Sequence, residues 1–127
     1  GEGMWTVQTG KKKTAPFEAR DITWAVDDTL VLTRYGKNSL LKAPATSGKA
    51  KKLATIPEQC TIGAASNLAV AVEAGEKKVF AHVIDLKSGK MQSKELQGAP
   101  SGTAVSVSPT QAFVQVNWAK AMHHLKF

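Results

Sequence analysis

Pro100-Ser101-Gly102-Thr103-Ala104-Val105-Ser106-Val107-Ser108-Pro109-Thr110-Gln111-Ala112-Phe113-Val114-Gln115-Val116 is the stretch whose reading decides the fold. Pro and Gly open it as a loop. Thr103 to Val107 then alternates small or polar with β-branched residues, the period-two pattern of a half-buried strand. Ser108-Pro109-Thr110 is turn chemistry, and Gln111 to Val116 is a second strand. Just upstream, Val79 to Leu86 is a strand that runs into Lys87-Ser88-Gly89-Lys90, a turn closed by glycine.

Working outward, the same cycle recurs. Ile22 to Val26, Thr29 to Tyr35, Ser39 to Ala43 and Lys51 to Ile56 read as four strands. They are separated by Asp27-Asp28, Gly36-Lys37-Asn38 and Thr46-Ser47-Gly48-Lys49. Cys60 to Ala64, Leu68 to Glu73, Lys78 to Leu86 and Met91 to Leu96 repeat the set. Thr103 to Val107, Gln111 to Val116 and Lys120 to Lys126 begin a third. Met4 to Thr9 and Pro16 to Ala19 are short extended pieces before the first set. Ser47-Gly48-Lys49 and Ser88-Gly89-Lys90 are one tripeptide repeated about 41 residues apart, and Thr9-Gly10-Lys11 is a looser copy. That period lies within the ~40–45 residues of a propeller blade. Gly or Pro interrupts every eight to twelve residues or so, which leaves no room for a helical period.

The repeat resembles known β-propeller blades. Lys78 to Val116, with Ile84-Asp85, a Gly turn and Ala99-Pro100-Ser101-Gly102-Thr103-Ala104-Val105, resembles the YVTN-type repeat of lactonase-like and surface-layer propellers. Leu30 to Ile56 is similar to an NHL or TolB-type blade, and the whole is WD40-like in the broad sense, without the Gly-His and Trp-Asp pairs. The resemblance implies an all-β chain of about three β-propeller blades, each of four antiparallel strands. The repeats run 21–59, 60–101 and 102–127, the last incomplete, with 4–20 as strands of a neighbouring blade. Closed propellers take about four to eight blades. The expectation is therefore a partial propeller from a longer chain or a ring completed by homo-oligomerisation, the alternative being a small barrel or sandwich.

Composition narrows the function. The chain has 127 residues, enough for one domain with a core. No apolar run reaches the ~20 residues of a membrane span. A single cysteine, Cys60, permits no internal disulfide and no thiolate zinc site. With no basic-then-apolar leader at the start, this points to the cytoplasm. Cys60 reads as a small core residue, and Trp5 and Trp24 as packing between blades.

No set of residues reads as catalytic. No Gly-x-Ser-x-Gly elbow is present. Asp27-Asp28 is turn chemistry, and the glycines form no phosphate-cradling loop. His123 and His124 point to opposite faces of a strand, and His82 reads as a surface or half-buried residue. The lactonase-like relatives that are enzymes hold a metal on acidic and histidine ligands in a central channel, and no matching set is found. The expectation is no enzyme, no cofactor and no metal.

The lysines carry the functional expectation. Lys+Arg 17 against Asp+Glu 10 gives +7, with Arg20 and Arg34 the two arginines. Lysine is a hydrated point charge, suited to a diffuse basic surface more than to bidentate phosphate reading. Lys11, Lys12 and Lys13, then Lys49, Lys51 and Lys52, then Lys87, Lys90 and Lys94 flank equivalent turns. On blades these turns share one face, a basic arc for an acidic protein, a nucleic-acid backbone or anionic lipid. The opposite face carries Tyr35, Pro100 and Trp118 as interface candidates. The expected function is a protein–protein interaction scaffold, with polyanion binding as the alternative and, behind both, a lactonase-like metal-dependent enzyme as the resemblance implies.

Overall fold

The computed structural model describes residues 4–9, 12–13, 17–47, 49–58, 60–74, 78–97, 104–108, 111–116 and 121–126. Every regular element among them is a strand. Four short ones come first: β1 (Met4–Trp5), β2 (Gln8–Thr9), β3 (Lys12–Lys13) and β4 (Phe17–Glu18). The first large sheet holds β5 (Asp21–Trp24), β6 (Thr29–Thr33), β7 (Ser39–Pro44) and β8 (Lys51–Thr55). The second holds β9 (Thr61–Ala65), β10 (Leu68–Ala74), β11 (Val79–Asp85) and β12 (Met91–Leu96). The third holds β13 (Ala104–Ser108), β14 (Gln111–Val116) and β15 (Ala121–Lys126). Each is an antiparallel meander in which sequence neighbours pair.

The protein is thus all-β, with three antiparallel sheets of four, four and three strands. Among the described residues the sheets do not close into a ring. Met4 to Thr9, which reads as one run, divides instead. β1 pairs with β4 and β2 with β3, as two separate two-stranded sheets.

Period-two alternation explains how the large sheets stack. In the second sheet, Ala69, Ala71 and Ile84 face the first sheet, where they join Val31, Leu40 and Ile56 in one core. The intervening Val70, Val72 and Ala81 face the third sheet and join Ala112, Val114 and Leu125. A strand buried on both faces reads as a near-continuous apolar run, which is how Leu68 to Val72 reads. Leu32, Leu41 and Ala43 form a third cluster on the far side of the first sheet, with Ala19.

The first strands of the three sheets lie side by side, β9 between β5 and β13. Gly63 makes this approach possible. A Cβ there would stand 2.9 Å from Val107 Cγ2 and 3.1 Å from Val105 Cγ1. Two stiff β-branched side chains fill the space a larger residue would need.

The tight turns use the expected chemistry. Asp27 and Asp28 both have positive φ, the requirement of a type I′ hairpin, and Thr29 N–H closes the turn on Val26 O at 3.0 Å. The tryptophans of the early strands are only partly buried. Trp5 is 41% exposed and Trp24 46% exposed. Both line a shallow hollow with Val7, Ile22 and Leu30. Trp5 donates from Nε1 to Ala19 O, so its polar tip is satisfied at the rim.

Candidate anion-binding grooves

The turns of the first two sheets gather at one end of the stack. Val26 N–H donates to Ser66 O at 3.1 Å, and Leu86 N–H donates to Asn67 O at 2.8 Å. Ala45 N–H donates to Asp28 O at 2.8 Å. The serine and lysine of the repeated tripeptide share one hydrogen bond in both copies. Lys49 N–H donates to Ser47 Oγ, and Lys90 N–H donates to Ser88 Oγ. In the second copy Asp85 fixes the turn. Its Oδ1 accepts from the N–H groups of Lys87 at 2.8 Å and Ser88 at 2.9 Å. Those bonds, from Ser88 and then Lys87, hold the Asp85 carboxyl below the ordinary carboxylate range. Gly89 has φ +75°, and a Cβ there would meet Leu53 O of the first sheet at 2.8 Å. Glycine is therefore required for both conformation and space.

Two grooves open between the sheets at this end. The first, about 450 Å³, lies between the first and second sheets. Lys42 enters it from β7, Lys49 from the β7–β8 turn, Lys51 from β8 and Lys87 from the β11–β12 turn. Val26 and Leu86 supply apolar wall, and no carboxylate is among the described lining residues. Lys42 and Lys51 are direct cross-strand partners. Like charges so placed repel, by up to roughly 1 kcal/mol. Lys42 Nζ is held by Leu86 O at 2.7 Å.

The second groove, about 570 Å³, lies between the second and third sheets. It repeats the first. Val83, Asp85, Ser88, Lys90 and Gln92 stand where Lys42, Pro44, Ser47, Lys49 and Lys51 stand one repeat earlier. Lys94 adds a charge from β12, and Lys126 one from β15.

Five of the nine lysines of the expected arc therefore meet in the grooves: Lys49, Lys51 and Lys87 in one, Lys90 and Lys94 in the other. Lys52 does not join them. It pairs with Leu41 and takes the far face of the first sheet, because adjacent strand residues point oppositely. Lys12 and Lys13 form β3, with Lys13 exposed and in neither groove. Lys11, Pro100 and Trp118 lie outside the described residues. Tyr35 is 54% exposed in the β6–β7 connection, at the opposite end of the first sheet. Lys42 and Lys126 went unnoticed because they sit inside strands. Alternation from Leu40, combined with the β7–β8 pairing, would have put Lys42 beside Lys51.

A second polar cluster lies inside. His82 is buried, not at the surface, with 8% exposure. Nδ1 lies 2.7 Å from Ser93 Oγ and Nε2 lies 3.2 Å from Glu73 Oε2. Opposite an ionised Glu73, which accepts only, a neutral imidazole carries its proton on Nε2, and Nδ1 then accepts from the Ser93 hydroxyl. Hydroxyl, imidazole and carboxylate come in the order of a serine triad, but serine sits on Nδ1 and the acid on Nε2. The three residues come from β12, β11 and β10 and tie those strands together. Cys60 is buried in the first core cluster, and its thiol is pushed up to about 11 by desolvation and then by Glu73. His124 stacks on Phe113, and His123 bonds Gln97 O on the other face. Among the described residues no three His, Cys, Asp or Glu side chains converge on a metal position, and no helix is long and apolar enough to cross a membrane. Comparison with protein families, with curated proteins and with solved structures finds no match.

Proposed function

We propose that the chain is a non-enzymatic binding module of β-propeller type, and that its lysine-lined end receives an acidic segment of a protein partner. The observation that carries this reading is the first groove: four lysines, an apolar wall and no carboxylate among its described lining residues. Such a site gathers positive charge in a concave place, where low-dielectric walls focus the field on anions.

Several features favour a peptide over a nucleic acid. Among the described residues the grooves carry no arginine for bidentate phosphate contact, and their one aromatic ring, His124, is already stacked on Phe113. Side-by-side first strands and four-stranded meanders support the blade reading. Closing a ring takes further sheets of the same kind, which copies of the chain would supply.

Fluorescence anisotropy with a labelled glutamate-rich peptide tests the reading. Binding is expected at low salt and to weaken steeply towards ~0.15 M ionic strength, where screening acts over about 8 Å. Combined Lys49→Glu, Lys51→Glu and Lys87→Glu should abolish it. Binding that ignores both salt and these substitutions refutes the reading. Tighter binding to single-stranded RNA than to the peptide would move it to a nucleic-acid partner.

A further inference from the structure

We propose that the two grooves act as one bipartite receptor, reading an extended segment that carries two acidic clusters with a short spacer. The inference rests on the acidic-partner reading and adds the form of the ligand. It comes from the repetition of the site and from the element that joins its halves.

The β11–β12 turn separates the grooves and contributes to both. Lys87 lines the first and Lys90 the second, three residues apart in one turn. That turn is held firmly. Asp85 accepts from the N–H groups of Lys87 and Ser88, and Gly89 N–H donates to Asp85 O at 2.8 Å. Gly89 is backed against Leu53 O. The spacing of the two positive sites is therefore set by a rigid element. Packed sheets lie about 10 Å apart and an extended chain advances about 3.3 Å per residue, so the clusters should be centred roughly three to five residues apart. The halves are unequal. Among the described residues the first groove has four lysines and no acid, whereas the second has Asp85 beside Lys90, Lys94 and Lys126. The more acidic cluster belongs in the first.

The test compares three peptides at low salt: one glutamate pair, two pairs whose centres lie about four residues apart, and two pairs with a spacer of about twenty. Linking two weak sites at a matched distance raises the local concentration of the second cluster. The short two-cluster peptide should bind about 100-fold tighter than the single cluster and tighter than the long one. Lys90→Gln with Lys94→Gln should erase the advantage of the short two-cluster peptide over the single cluster. Equal affinity for one and two clusters, or an advantage that survives the second-groove substitutions, overturns the bipartite arrangement and leaves the acidic-partner reading standing. Failure of every peptide to bind overturns that reading, and this inference with it.

Discussion

Replacing Gly63 by alanine should destabilise the protein, although local preference alone predicts the opposite. Gly63 lies within β9, and no left-handed φ is needed there. Alanine in a strand interior is better than glycine by roughly 0.5–1 kcal/mol, because glycine loses more conformational freedom on folding. Packing works against this. The new methyl would stand 2.9 Å from Val107 Cγ2 and 3.1 Å from Val105 Cγ1, both closer than carbon atoms rest. Valine has few rotamers through which to retreat, so β13 itself must shift. Overpacking of this kind costs about 1–3 kcal/mol. The net is a loss of up to roughly 2.5 kcal/mol, centred near ~1 kcal/mol, or about 4 °C in Tm for a domain of this size. Urea and thermal unfolding followed by circular dichroism read it directly. A raised Tm would mean that β9 and β13 are not in contact, and the stacking of the second and third sheets would have to be abandoned.

Other expectations follow from single contacts. Asp85→Ala should lower Tm by freeing the β11–β12 turn. Because the folded carboxyl titrates below its ordinary value, its contribution is present above the unfolded pKa and fades as pH falls through the folded one. The Tm gap between Asp85→Ala and the parent should therefore close in acid. Cys60 should react slowly with a thiol reagent at pH 8 in native buffer and quickly in denaturant, since its thiol is buried and titrates at about 11. The proton is held more tightly in the folded state, so this contribution to stability is full below pH 9 and shrinks as pH rises from 9.0 towards 11. Ser93→Ala should cost about 1 kcal/mol in urea unfolding, and His82→Leu about 1–3 kcal/mol by removing a partner from both Glu73 and Ser93.

The strands were legible because both faces of the large sheets are apolar and the turns carry Gly, Asp and Ser where left-handed backbone is needed. Ser-Gly-Lys marked the period, since Gly89 has no substitute there and Ser88 fastens the following N–H. The grooves were half legible. Lys49, Lys51, Lys87 and Lys90 announce themselves beside turns, whereas Lys42, Lys94 and Lys126 sit inside strands. Whether such a residue meets Lys51 or Leu41 depends on pairing register, including the irregularity between Leu40 and Leu41. Counting Lys52 with Lys51 ignored the same alternation. His82 misled because its two partners, Glu73 and Ser93, are nine and eleven residues away and meet it only through strand pairing.

The most direct test of the central claim is amide chemical-shift mapping of the isotopically labelled protein during titration with the two-cluster acidic peptide. The account predicts shifts concentrated at Lys42, Ser47, Lys49, Lys51 and Asn67, then across Lys87 to Gln92. The far end, around Tyr35 to Asn38 and Glu58, should stay still. Shifts centred on that far end or on Trp5 and Trp24, or none at saturating peptide, would contradict it.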